Sequence, residues 1–130
     1  MKRIFFTLLM LIVFSVNASS QLHVYRGYAF AVREVPYQWS SWEKSNVSIY
    51  FDFDKSYLYI DSKYPQKYYI VEIAETYQSP TEVQISYLFR DETNDVGCAR
   101  FWKSSDGTYI LYIEYANIEW RYLIKVVNRR

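Results

Sequence analysis

The chain has 130 residues, of which 15 are Lys or Arg and 14 are Asp or Glu, so its formal net charge is +1. A chain of this length is enough for one domain and too short for two. Because basic and acidic residues are nearly equal in number, the chain lacks the excess of basic residues that binding to DNA or RNA requires. Nucleic acid is therefore excluded from the expected partners. Aromatic residues are abundant, with 15 Tyr, 8 Phe and 4 Trp.

The first segment, residues 1–20, has the three parts of a cleavable signal peptide. Lys2 and Arg3 form a basic head, an apolar run follows at 4–16, and small residues close the segment. The apolar run is shorter than the about 20 residues that a membrane-spanning helix needs. We therefore expect a signal helix that is removed, leaving no stable membrane span.

Removal of the signal leaves the predicted mature domain, residues 21–130. Cleavage is predicted after Ser20, with Ala18 as the alternative. Loss of two basic residues leaves 13 basic against 14 acidic side chains, a net charge of −1. Since no cysteine lies near the cleavage zone to carry a lipid, we expect a soluble protein of the periplasm or the extracellular space.

Alternation of apolar and polar residues recurs from residue 24 to the end of the chain, interrupted by short polar turns. The aromatic and β-branched residues suit the half-buried surface of a sheet. The spacing is typical of an antiparallel meander. Eight strands are predicted, at residues 24–35, 47–54, 57–61, 68–76, 82–90, 96–103, 108–115 and 118–127.

One segment carries a competing helix signal. Ser79 to Glu82 resembles a capping box with Pro80 at the first helical position. The residues behind it, 83–89, alternate strictly between apolar and polar, so a strand is predicted there.

The pattern also predicts the register of one hairpin near the middle of the chain. A two-residue turn at 55–56 would place Phe51 opposite Ile60 on the core face and Tyr50 opposite Asp61 on the solvent face. A slip of one residue would mix the two faces, so the pattern favours this register.

The last hairpin is predicted to turn at 116–117. This turn pairs apolar residues on one face and sets Tyr112 opposite Arg121 on the other. It also sets Glu114 opposite Glu119, and like charges at that spacing are mildly destabilising. A longer turn is the alternative.

Eight strands joined by short turns have two open edges unless the first strand pairs with the last. The predicted fold is therefore all-β, a single small antiparallel meander of about eight strands closed into an up-and-down, lipocalin-like barrel. A two-sheet sandwich is the alternative. A barrel of this size holds either a filled core or one small ligand.

The sequence predicts no catalytic set, metal site or cofactor. His23 and Cys98 are the chain's single His and single Cys, too few for a zinc site or an activated nucleophile without acidic help. His23 is expected to be solvated, and Cys98 to be a small buried hydrophobe. Acidic residues cluster at 52–54 and 91–95, where calcium is the alternative to turn formation by Asp and Asn.

Aromatic residues in a loop and on one strand face are the candidate binding residues. Trp39 and Trp42 lie in the longest segment between strands, where they would plug one end of the barrel or form an exposed platform. Tyr50, Tyr57 and Tyr59 form a second predicted surface, flanked by Asp side chains.

Several short segments together carry a resemblance: Ala18-Ser19-Ser20-Gln21, Trp39-x-x-Trp42-Glu43, Val47-x-Ile49-x-Phe51-Asp52, Leu58-x-Ile60 and Tyr112-x-Glu114-Tyr115-x-Asn117-x-x-Trp120. In these segments the chain resembles short, exported, Tyr-rich all-β proteins of gut Bacteroidetes and their crAss-like phages. This resemblance implies export and an all-β fold, and it assigns no functional residue.

These observations favour a small exported, non-catalytic binding module that recognises a glycan, a small apolar ligand or a protein partner through aromatic residues. The alternative is an inhibitor or assembly subunit acting through its Tyr-rich face. A carboxylate-based hydrolase is a third hypothesis, and it requires two acidic side chains to converge in a cleft.

Overall fold

The structure, a computed structural model, describes residues 22–127. The predicted signal peptide, residues 1–20, lies outside the described residues. The strands are β1 Leu22–Glu34, β2 Glu43–Asp52, β3 Tyr57–Asp61, β4 Gln66–Gln78, β5 Glu82–Asp91, β6 Val96–Ser104, β7 Tyr109–Glu114 and β8 Ile118–Val126. Between residues 22 and 127 there is no helix of the length and hydrophobicity that crossing a membrane would require.

The eight strands close into a barrel. Each strand pairs antiparallel with the next, and β1 also pairs with β8, from Tyr25 opposite Val126 to Glu34 opposite Ile118. Closure gives every strand two partners and removes both open edges. The predicted up-and-down barrel is therefore confirmed, and the chain does not form the alternative two-sheet sandwich.

The hairpin of β7 and β8 has the predicted register. Glu114 lies directly opposite Glu119, as the two-residue turn requires, so the longer turn is not used. The like charges are tolerated because each carboxylate has its own arginine. Glu114 lies 2.7 Å from Arg100, and Glu119 lies 2.9 Å from Arg33.

The hairpin of β2 and β3 has a longer turn than predicted. Phe51 lies opposite Leu58 and Tyr50 lies opposite Tyr59, so the connection spans residues 53–56 and the predicted pairing was wrong by two positions. A shift of two residues keeps every side chain on its own face. The predicted assignment of core and solvent faces is therefore correct, although the predicted register is not.

The segment with the competing helix signal forms a tight turn before β5. The Ser79 hydroxyl oxygen accepts the backbone N–H groups of Thr81 and Glu82, both at 3.2 Å. The strand begins at Glu82 and continues through the alternating residues. The predicted strand is confirmed.

The centre of the barrel is filled by apolar side chains. Tyr68, Tyr87 and Tyr122 add buried rings to this core. A filled centre leaves recognition to the outer wall and to the barrel ends. The largest fully buried side chains are Phe51, Phe89, Ile49, Leu58, Ile60, Leu111 and Ile113.

Candidate functional site

Outward-facing side chains form rows across the barrel wall, because the register sets them directly side by side. One row runs from Ser86 through Arg100, Tyr112 and Arg121 to Ala31 of β1. Neighbouring strands lie about 4.8 Å apart, so the row is about 19 Å long. It therefore offers an extended site rather than a point contact.

Cations and aromatic rings alternate along this row. The Arg100 guanidinium lies 3.9 Å from the ring centre of Tyr112. The Arg121 guanidinium lies 4.1 Å from the ring of Trp39 and 4.5 Å from the ring of Trp42. Such cation–π contacts contribute about 0.5–2 kcal/mol each, depending on their exposure, and they fix the planes of rings and guanidinium groups.

The loop between β1 and β2 brings Trp39 and Trp42 to this row. Its Ser40 donates its backbone N–H to the Val32 carbonyl at 2.8 Å, and the Val32 N–H returns a bond to the Ser40 hydroxyl at 3.0 Å. The loop thus continues alongside β1. The interpretation of both tryptophans as plugs of a barrel end was wrong, because they lie over the outer wall.

A small residue makes room for this arrangement. Ala31 points outward beside Arg121 and is nevertheless fully buried. We attribute its burial to the indoles of Trp39 and Trp42, which reach across it to the guanidinium. A larger side chain at this position would push the indoles away from the wall.

Arg121 differs from the two neighbouring arginines in its partners. Arg33 pairs with Glu119, and Arg100 pairs with Glu114. Within residues 22–127 the Arg121 guanidinium has no carboxylate partner, and its Nε is buried without a hydrogen-bond partner. A buried, unsatisfied donor costs about 1–3 kcal/mol, and the contacts of this guanidinium with the two indoles offset part of that cost.

A groove of about 360 Å³ lies beside the row, between β4 and β5, and both Glu75 and Glu82 line it. Hydrogen bonds from the Trp102 indole at 2.8 Å and from the Gln84 amide at 2.9 Å lower the pKa of Glu82. A general acid in glycoside hydrolysis needs a raised pKa, so Glu82 is poorly suited to proton donation.

Row and groove form one surface, which we call the outer strip. It combines exposed rings with planar amide, carboxylate and guanidinium groups that are already held by one another. Its residues are Trp39, Trp42, Tyr77, Glu82, Gln84, Arg100, Trp102, Tyr112 and Arg121.

The predicted tyrosines lie on a second surface, the Tyr face, formed by Tyr50, Tyr57, Tyr59, Lys67 and Tyr69. Tyr50 and Tyr59 are directly opposite each other, with ring centres 6.2 Å apart. The Lys67 ammonium lies 4.5 Å from the ring of Tyr57 and 5.4 Å from that of Tyr69. The structure therefore brings the three predicted residues together and adds two from β4.

The single cysteine and histidine do not form a reactive pair with each other. Cys98 is half-buried and faces outward opposite Glu114, whereas the buried neighbour is Ala99, so the expected buried position was wrong by one residue. Burial raises the pKa of the Cys98 thiol, which disfavours the nucleophilic thiolate. His23 is half-buried, with its ring 5.1 Å from that of Phe53, rather than solvated.

The acidic loop at 91–95 is organised as a turn. Asp91 accepts the N–H groups of Thr93 and Asp95, both at 2.9 Å, and the Tyr115 hydroxyl at 2.7 Å. Burial acts to raise the pKa of Asp91, but these bonds outweigh it and lower the pKa. Across residues 22–127 no three His, Cys, Asp or Glu side chains are grouped to hold a metal ion.

The fold and its surfaces define the class of this protein, an eight-stranded antiparallel barrel with a filled centre and an aromatic outer wall. Comparisons with protein-family models, curated proteins and solved structures gave no match to the chain. Its function is therefore inferred from its own side chains.

Proposed function

We propose that the chain is a small exported binding module without catalytic activity, and that its outer strip recognises a glycan. The observation that carries the proposal is the Arg121 guanidinium, which lies within 4.5 Å of the ring centres of both Trp39 and Trp42 and has no carboxylate partner within residues 22–127. Indole rings offer flat apolar faces to the C–H side of a sugar ring, and the adjoining guanidinium offers donors to its oxygens.

The remainder of the outer strip supports a polar, extended ligand. Gln84, Glu82 and Arg100 present an amide, a carboxylate and a guanidinium beside the rings, and each is already held by hydrogen bonds. Groups that are ordered before binding lose less conformational entropy when a ligand arrives. Hydroxyl-rich ligands need both donors and acceptors, and the outer strip supplies both.

Barrel closure also favours recognition through side chains. A peptide that adds a strand to a sheet needs a long exposed edge, and among the described strands both neighbours are present for each strand over at least part of its length. The filled centre leaves no space there for a carried ligand. Binding on the wall is compatible with both facts.

Glycan arrays and native mass spectrometry of residues 21–130 test the proposal. We expect binding to at least one glycan class, and we expect the double variant Trp39→Ser/Trp42→Ser to lose it. The matched control is Tyr50→Ser/Tyr59→Ser, which removes two aromatic rings from the Tyr face. The control should bind as the unchanged chain does.

Two results would count against the outer strip. A blank in both assays with the folded chain would remove glycan recognition. Equal loss of binding in the control variant would show that the wall tryptophans have no special role.

A second candidate function, an inhibitor or assembly subunit, is favoured by the Tyr face. Its four tyrosines surround Lys67, which makes a surface both soluble and able to bury rings in an interface. Analytical ultracentrifugation of the unchanged chain and of Tyr50→Ser/Tyr57→Ser/Tyr59→Ser tests self-assembly. The candidate requires an oligomer that the triple variant loses, and identical monomeric behaviour of both would refute self-assembly.

A further inference from the structure

One end of the barrel is less completely filled than its centre. It is the end that carries the β1–β2, β3–β4 and β7–β8 connections, and it contains a cavity of about 290 Å³. This volume is at the lower limit of the about 300–1,000 Å³ typical of ligand sites. The inner wall of the cavity includes Phe30, Val47, Gln66, Trp120 and Tyr122, and the exposed Tyr64 lies at its rim.

Gln66 orders this end of the barrel. Its amide nitrogen donates to the Ser62 hydroxyl at 3.2 Å and to the Tyr122 hydroxyl at 3.1 Å. Its amide oxygen accepts the Tyr68 hydroxyl at 2.6 Å and the Trp120 indole N–H at 3.1 Å. Two of the rings that line the cavity, Trp120 and Tyr122, are thus fixed before any ligand arrives.

The Tyr122 hydroxyl has a hydrogen-bond donor that no described residue accepts. Tyr122 is only 3 % exposed, and its oxygen accepts a hydrogen bond from Gln66. Its own proton has no acceptor among residues 22–127. Leaving a buried donor unused is unfavourable, so a ligand that brings an oxygen atom to this position gains a hydrogen bond.

The rim of the cavity is positively charged. The lining contains two lysines, Lys44 and Lys63, and one carboxylate, that of Glu43. Lys63 lies over the exposed ring of Tyr64, at 5.6 Å from its centre. Such a rim attracts an anion, and the apolar wall below it accommodates a hydrocarbon body.

We propose that this end of the barrel binds a small amphipathic carboxylate, with an apolar body of about eight carbon atoms. The carboxylate accepts a hydrogen bond from the Tyr122 hydroxyl and faces the two lysines, while the apolar body packs along Phe30, Val47 and Trp120. This site is separate from the outer strip, so either proposal can fail without the other.

Octanoate is the probe, and the four tryptophan indole N–H signals in a ¹H–¹⁵N spectrum are the readout. Only Trp120 lines the cavity, and its N–H is held by Gln66. We expect octanoate to shift the Trp120 signal saturably, and to leave the signals of Trp39, Trp42 and Trp102 in place. A glycan bound to the outer strip would do the reverse.

Charge variants test why a carboxylate is preferred. Lys44→Glu/Lys63→Glu should weaken octanoate binding by roughly tenfold or more. The matched control, Lys55→Glu/Lys125→Glu, makes the same change in net charge at the opposite end of the barrel and should bind octanoate as the unchanged chain does. Tyr122→Phe keeps the ring and should weaken binding by roughly threefold to tenfold.

Three outcomes would overturn the proposal. The first is a Trp120 signal that does not saturate up to about 10 mM octanoate, where a dissociation constant near 1 mM would be visible. The second is octanol or octylamine binding at least as tightly as octanoate, which would remove the preference for a carboxylate. The third is equal weakening in the rim variant and its control.

Discussion

Replacing Gly97 by Ala tests how closely the strands of the barrel approach one another. A Cβ atom at this position would lie 2.6 and 2.8 Å from two ring atoms of Phe89 and 2.8 Å from the carbonyl oxygen of Glu114. Neither neighbour yields easily, because Phe89 is fully buried and the oxygen belongs to the backbone of β7. The substitution therefore forces β6 away from β7 or moves the Phe89 ring.

The size of the effect follows from these contacts. Overpacking a core typically costs about 1–3 kcal/mol, and a clash with backbone belongs at the upper end, about 3 kcal/mol. At Gly27 the three nearest atoms to a Cβ are all in side chains, a Val47 methyl group at 2.9 Å being the closest, and no backbone atom is among them, so a smaller loss of about 1 kcal/mol is expected. Gly107 has open space but a φ of +91°, so backbone strain of about 1 kcal/mol replaces the clash.

The three alanine variants together replace every glycine of the chain, and urea unfolding followed by circular dichroism measures each. We expect Gly97→Ala to lower the free energy of unfolding most, with an unchanged dependence on urea concentration. A Gly97→Ala variant within about 0.5 kcal/mol of the unchanged chain would refute the packing argument. So would a greater loss at Gly27 than at Gly97.

Three further predictions concern charge. Hydrogen bonds, chiefly from the Ser104 hydroxyl, lower the pKa of Asp106 to about 2. Asp106→Asn should therefore lower the free energy of unfolding above pH 4, and in urea unfolding its difference from the unchanged chain should disappear between pH 4 and 2. A difference that stays constant over this range contradicts the prediction. Burial, chiefly, raises the pKa of Tyr87, so its ionisation in a 295 nm titration should coincide with unfolding above pH 10, not precede it. Arg33→Ala breaks the 2.9 Å ion pair with Glu119 and should cost about 1 kcal/mol in urea unfolding, which adding Glu119→Gln should partly restore.

The alternating pattern predicted the strands well, but it predicted the register only where the turn had the expected length. Between β7 and β8 the two-residue turn and the apolar face agree, and the predicted pairing is observed. Between β2 and β3 the sequence offers two registers of the same parity. Phe51 meets an apolar partner on the core face in either, Ile60 in one and Leu58 in the other. Alternation fixes parity, and the turn geometry decides between the two.

The outer strip was harder to predict, because it depends on how strands are placed side by side. The pair of Tyr112 and Arg121 was expected, since both residues lie in one hairpin. The contact of Arg121 with Trp42 needs the closure of β1 onto β8 and the small side chain of Ala31 between them. A bulge near Gly27 also shifts the register of β1, and no periodicity marks it. The loop tryptophans were the sequence signal for this site, and the alternating pattern did not mark the role of Ala31.

Cations lie over rings of both candidate surfaces, and within residues 22–127 they leave two exposed rings uncovered. Tyr28, Tyr64 and Tyr69 are exposed, and each carries a lysine ammonium within 5.6 Å of its ring centre. Among the described residues the exposed rings without such a cation are Tyr37, 69 % exposed, and Tyr77, 51 % exposed. Tyr77 belongs to the groove of the outer strip, and Tyr37 lies in the loop that carries its tryptophans. The outer strip thus combines tryptophans that contact the Arg121 guanidinium with two exposed rings, in or beside it, that carry no cation, and for this reason we favour it over the Tyr face as the recognition surface.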